Sequence, residues 1–194
     1  MRLIGDALVT WSEIENLWRT IFPRLLFLGF RHEFRKDELK YGPYSPANAA
    51  VDRGLAMWDS LASSAAQLDL LLAVAPIALS QEERQAGLAR LLKLAKDTHT
   101  KRGLRNAVAH SGFERPLRVH RTGPEGKMAI TMGPLNLTDN AHSLIRGKDP
   151  YTEIPRIIEE FKTHRERVRW VYTWLTMGYP TDADDTLMST SPQQ

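Results

Sequence analysis

Apolar residues return every three or four positions along most of this chain, and every second position in one short stretch. Trp11, Ile14, Leu17, Trp18 and Ile21 share one helical face. Thr10-x-x-Glu13 and Ser12-x-x-Glu15 have the form of capping boxes that open such a helix. Pro23 predicts a kink or restart before the apolar run Leu25 to Phe30. A charged stretch from Arg31 to Lys40 follows, and Tyr41-Gly42-Pro43-Tyr44 predicts a break. Ser45-Pro46 then sets a capping serine before a proline at the first helical position. Val51, Leu55, Trp58, Leu61, Ala65, Leu68 and Leu72 predict one amphipathic helix of about seven turns, which Pro76 ends. A third capping box, Ser80-x-x-Glu83, leads into Leu88, Leu91, Leu92 and Ala95. The polar interval Asp97 to Arg102 and Gly103 leave open whether Leu104 to Ser111 continues that helix or begins another. Gly112 is the expected left-handed stop.

Beyond Gly112 the period changes. Leu117 to Arg121 and Met128 to Met132 alternate around Gly123-Pro124-Glu125-Gly126, which predicts a β-hairpin. A loop-rich stretch runs to Asp149-Pro150, which opens a last helix with Ile154, Ile157, Ile158, Phe161, Val168, Val171 and Leu175 on its apolar side. The tail, 181–194, is polar and aperiodic and is expected to be disordered. The expectation is a single, mainly all-α domain over 1–180: four to five helices with a small hairpin inserted late in the chain.

Composition narrows the class. Of 194 residues 42% are hydrophobic and 25% charged, as in a globular protein. The longest nearly unbroken apolar stretch, Leu70 to Leu79, contains Pro76 and falls short of the ~20 residues of a membrane span. Asp6 and Glu13 lie where an export signal needs an uncharged core, so a cytoplasmic chain with no membrane partner is expected. The absence of cysteine excludes disulfides, thiolate metal sites and cysteine nucleophiles. Net charge is +3, but the pI is about 9.3 and 18 of 26 basic residues are arginine. Arginine's planar fork suits phosphate better than a lysine point charge does.

The chemistry concentrates in Arg105-Asn106-Ala107-Val108-Ala109-His110. Asn106 and His110 stand at i and i+4 on one helical face, where a hydrogen bond between them would orient the imidazole. Arg102 continues that stripe one turn earlier, whereas Arg105 lies about 140° around the axis from His110 and must reach over with its long stem. His110 sits near a helix C-terminus, where the macrodipole favours positive charge. Arg115 and His120 repeat the same spacing, but Arg115 precedes a proline and His120 falls on a predicted strand. A histidine ending a helix is a proton carrier, and an arginine beside it is a cation suited to phosphate.

This run resembles the signature of the HEPN superfamily, an arginine, a polar residue and a histidine four to six positions on. The resemblance implies a HEPN-like helical bundle and a metal-independent endoribonuclease without cofactor, with Arg105, Asn106 and His110 as catalytic residues. One motif supplies half a site, so the resemblance also implies a homodimer with a composite active site. Roles as a toxin or phage-defence effector, held by an antitoxin or other regulatory protein, come with the family. The alternative is a non-catalytic HEPN-like module that binds RNA, a nucleotide or a protein partner.

Each candidate has a plainer reading. Arg102 and Lys101 are candidates for RNA contact or simply a solvated face. Lys162, Arg165, Arg167 and Arg169 track a possible RNA backbone, yet Glu159, Glu160 and Glu166 interleave them as in a salt-bridged surface. His32, His99, His120, His142 and His164 show no metal-ligand spacing and read as structural or exposed, with His99 the exception most worth following. Glu13 and Glu15 are explained by capping, or support the site. The five tryptophans read as core or interface.

Overall fold

Helical periodicity is realised almost throughout. In the computed structural model, residues 2–41, 46–80, 85–122, 127–139 and 144–177 are described. Their elements are α1 (Arg2–Tyr41), α2 (Pro46–Ser60), α3 (Ser64–Ala78), α4 (Gln85–Ala109), β1 (Ser111–Glu114), β2 (Leu117–Thr122), β3 (Lys127–Met132), β4 (Asn136–Asp139) and α5 (Pro150–Met177). The fold is mainly α-helical with small antiparallel sheets, as the periodicity predicts. Ser45, Gly42 to Tyr44, Glu83 of the third capping box, the turn Gly123 to Gly126, His142 and the tail from Thr181 lie outside the described residues.

Several helix boundaries differ from the sequence expectation. α1 begins at Arg2, so Thr10 and Ser12 are interior residues and form no capping box. The Thr10 hydroxyl instead donates to the Asp6 carbonyl one turn back, at 2.9 Å. Pro23 does not restart a separate element, because α1 continues through it. An interior proline costs ~3 kcal/mol. Ile21, Phe22 and Leu25 around it are fully buried, at about 1.5–3 kcal/mol each, and outweigh that cost. The predicted seven-turn helix is two: Ser63 caps α3, its side chain accepting from the Ala66 N–H at 3.3 Å. Pro76 sits inside the last turn of α3, which closes when the Leu79 N–H reaches the Ala75 carbonyl at 3.0 Å. α4 is one helix through Gly103.

The chain forms two compact units. The first comprises Met1–Trp11 and Lys101–Lys162, and the second Ser12–Thr100 and Thr163–Gln194. In the second, Trp18, Phe22, Trp58, Leu71, Leu91, Leu94, Val168 and Val171 are buried. Phe22 and Trp58 meet at 4.7 Å between centroids, and Arg19 clamps Asp59 through two hydrogen bonds of 2.8 and 2.7 Å. Polar groups are also buried here. The Thr98 hydroxyl donates to the Leu94 carbonyl (2.8 Å), accepts from Trp18 Nε1 (3.0 Å) and lies 2.7 Å from His164 Nε2. Since a hydroxyl has one hydrogen, this arrangement puts the imidazole proton on Nε2.

The first unit holds the β structure. Its core includes Ala107, Val108, Leu137, Ile145, Ile154, Ile157 and Phe161. Trp11 lies against Phe161, with centroids 5.1 Å apart. β2 and β3 pair in the predicted hairpin, from Leu117 opposite Met132 to Thr122 opposite Lys127. The loop-rich stretch hides one more strand than expected: β4 pairs with β1, from Ser111 opposite Asp139 to Glu114 opposite Asn136. The two ladders stay separate because Pro116 and Pro134 interrupt the strands and have no N–H to donate. Between them the Gly133 N–H bonds the Pro116 carbonyl at 2.8 Å. A side chain at 133 would collide with the Pro116 ring, 2.7 Å from its Cβ position.

Candidate functional site

The Arg-Asn-x-x-x-His run occupies the last turn of α4 and the residue beyond it. Ala107 and Val108 turn into the first unit's core, fully buried, and so fix the rotation of the turn. Arg105 and Asn106 are half-buried beside them, and His110 is exposed. The helix does not end at a left-handed glycine. The His110 N–H still bonds the Asn106 carbonyl at 3.0 Å, and the chain then passes straight into β1. Gly112, the expected stop, is a strand residue, and only Gly147 among the described glycines has positive φ. Strand pairing supplies the termination: the Ser111 hydroxyl donates to the Val108 carbonyl (2.8 Å), satisfying one of the helix's last acceptors. The Gly112 N–H donates to Thr138 Oγ1 at 3.1 Å, an approach that a β-carbon at 112 would obstruct.

Arg105 and Asn106 come together, but the expected side-chain link between Asn106 and His110 is absent. Arg105 Nη1 donates to Asn106 Oδ1 at 3.1 Å, so the asparagine orients the guanidinium rather than the imidazole. Arg105 Nε is buried and has no acceptor among the described residues. A buried donor left unsatisfied costs about 1–3 kcal/mol, and Arg105 Nε shares this condition with Trp11 Nε1.

Lys101 and Arg102 part company. Lys101 pairs with Glu160, which Arg156 also holds at 3.2 Å. Arg156 in turn bonds Glu153 at 2.7 Å, and Lys148 bonds the same carboxylate at 2.9 Å. The Arg156 hydrogen bond holds the Glu153 carboxyl below its ordinary range, reinforced by Lys148 and opposed by burial. Arg102 has no ion pair among the described residues and is half-buried on the motif's stripe.

Other candidates resolve toward structure. Lys162 pairs with Glu159 at 2.6 Å, Arg165 with Glu166 at 2.9 Å and with Glu13, and Arg169 with Glu166 at 2.9 Å. Lys162, Arg165 and Arg169 of the basic run thus belong to a salt-bridged surface, and Glu13 is one of its partners. Glu15 borders a shallow groove in the second unit with Asn16, Arg19 and Trp58. His164 is buried against Thr98, His120 is exposed on β2, and His99 belongs to the second unit with a buried Nδ1 lacking a partner among the described residues. Four tryptophans are buried; Trp170 is half-buried, stacked on Trp174 and covered by the Arg90 guanidinium 5.4 Å from its centroid.

Sequence reasoning did not anticipate the cavity next to β1. Leu3, Phe113, Leu135, Pro150, Tyr151 and Ile154 line an apolar space of about 300 Å³ in the first unit, reached three residues past His110. Among the described residues no helix is long and apolar enough to cross a membrane. Comparison with protein-family models, with curated proteins and with solved structures gives no match to this chain.

Proposed function

We propose that this protein is a metal-independent endoribonuclease of HEPN type, working as a homodimer with a composite site. The observation that carries the reading is the Arg105–Asn106 pair: Asn106 Oδ1 holds the guanidinium on the turn that runs into an exposed histidine. In the reaction, His110 of one copy removes the proton of a ribose 2′-OH, and the 2′-oxygen attacks phosphorus. The bond to the 5′-oxygen breaks, and that oxygen takes a proton from an imidazolium, which a second copy's motif provides. Arg105 stabilises the charge that builds on the phosphorane. Arg102 is the cation best placed to hold a flanking phosphate, Lys101 being occupied by Glu160. The family resemblance adds a cytoplasmic role as toxin or phage-defence effector, with a regulatory protein as partner.

The test is cleavage of RNA by wild type, Arg105→Ala and His110→Ala, all with EDTA. Wild type is expected to leave 2′,3′-cyclic phosphate and 5′-hydroxyl ends, and each substitution to lower the rate by roughly 100- to 1,000-fold or more. Full activity in His110→Ala overturns the mechanism. One observation favours a second reading, a module that binds RNA without cutting it: Asn106 engages Arg105 in place of the expected link to His110. That reading predicts salt-sensitive RNA binding with no cleaved ends.

A further inference from the structure

The β2–β3 ribbon is amphipathic in an unusual way. Directly paired residues project to the same face. Leu117 with Met132, Val119 with Ile130, and Arg121 with Met128 therefore form one face, and Arg118 with Thr131 and His120 with Ala129 belong to the other. The five aliphatic side chains of the first face are not core residues: Val119 is 56% exposed, Leu117 and Met128 64%, Ile130 68% and Met132 71%. Together they leave bare on the order of 500 Å² of apolar surface, near the top of what a monomer tolerates. A two-stranded hairpin is also marginal by itself and needs something packed on its apolar side.

We infer that this face is an interface with a second copy of the same chain, two ribbons stacking face to face about a two-fold axis. Two such faces bury about 1,000 Å², the scale at which specific interfaces begin. The patch is self-complementary, as an isologous contact requires. Its one charge, Arg121, fixes the direction. Antiparallel ribbons set each Arg121 over the Leu117 and Met132 end of the other copy, whereas parallel ribbons bring the two guanidinium groups together. Four residues of strand, about 14 Å, separate Arg121 from Leu117. Nucleic acid is a poor occupant, since aliphatic side chains give neither stacking nor phosphate contacts. The face also has none of the aromatic residues that anchor proteins at a lipid interface. The pinned base, with Gly133 bonded to the Pro116 carbonyl, holds the ribbon as an arm.

The inference stands on the exposed face and shares with the ribonuclease reading only that the chain pairs with itself; the experiment keeps the two apart. Sedimentation of the full chain is expected to give a dimer. Val119→Glu and Ile130→Glu should weaken dimerisation roughly a hundredfold or more, while Thr131→Glu on the opposite face leaves the mass unchanged. All three positions are exposed, so circular dichroism should show the fold intact. Because the chain has no cysteine, Val119→Cys should couple to its own symmetry mate through a short bis-maleimide. A monomeric wild type, or a dimer indifferent to Ile130→Glu, overturns the interface. A monomer that floats with anionic vesicles until Ile130→Glu is introduced also overturns it and gives the face to lipid. A dimer broken by Ile130→Glu in a chain that never cuts RNA supports the interface and removes the ribonuclease reading.

Discussion

The Thr98 side chain shows how much one small residue organises. Its oxygen serves an indole, an imidazole and a backbone carbonyl from three helices of the second unit, in a place with almost no solvent. Thr98→Val keeps the shape and removes the oxygen, leaving Trp18 Nε1 and His164 Nε2 without that partner. The expected loss is about 2–4 kcal/mol in urea unfolding, larger than the few tenths typical of an exposed Thr→Val change. The signal for His164 was present in the residue pattern: it fills the gap between Phe161 and Val168 in the apolar stripe of α5. What it bonds was not legible, since Thr98 lies on another helix 66 residues away. Glu153 acts at the same scale. Its carboxyl is held below the ordinary range chiefly by Arg156, so its contribution to stability is complete above the unfolded carboxyl's pKa of about 4.3 and is lost as pH falls through the lower folded value. Glu153→Gln is expected to flatten the acid limb of stability, measured as the urea midpoint between neutral pH and pH about 3. Arg105→Lys keeps the charge but removes the fork, and is expected to recover little of the cleavage lost in Arg105→Ala.

At the level of elements, helices were legible because burial repeats with the helical period, and all seven apolar positions named on α5 are buried. Their ends were harder. Capping signals at Thr10 and Ser12 are local, and the continuous packing of α1 overrides them. The break before Ser63 falls between apolar positions whose spacing runs on unchanged, so only the serine marks it. β1 and β4 are four residues each, too short for alternation to be read, and β1 contains a glycine. Their pairing decides where α4 stops and hence that His110 is exposed, which is why the motif was readable but its surroundings were not. Gly87 gives an element-scale test. Alanine there gains about 1 kcal/mol of helix propensity. Its Cβ, however, would stand 2.0 Å from the Trp174 ring, which is 5% exposed and boxed in. Overpacking of this kind costs about 1–3 kcal/mol, so Gly87→Ala is expected to lower the melting temperature despite the better helix former.

On the scale of the whole molecule, the proposed composite site would tie activity to assembly. Specific RNA cleavage per chain should fall as the protein is diluted below its dimer dissociation constant, a loss that added His110→Ala protein does not restore, since each copy must bring an imidazole. A monomeric enzyme with its whole site in one chain would show no such dilution effect. The arrangement of the two units has a different consequence. Each is assembled from segments far apart in the chain, and α1, α4 and α5 each give residues to both. A cut after Thr100 deprives the first unit of Ala7 and Trp11 and the second of Val168 and Val171, so neither half retains a closed core. Fragments 1–100 and 101–194 are therefore expected to remain unfolded alone. In heredity the same fact means that a single crossover cannot exchange one unit and spare the other: the motif and the helices that hold it travel as one piece of gene.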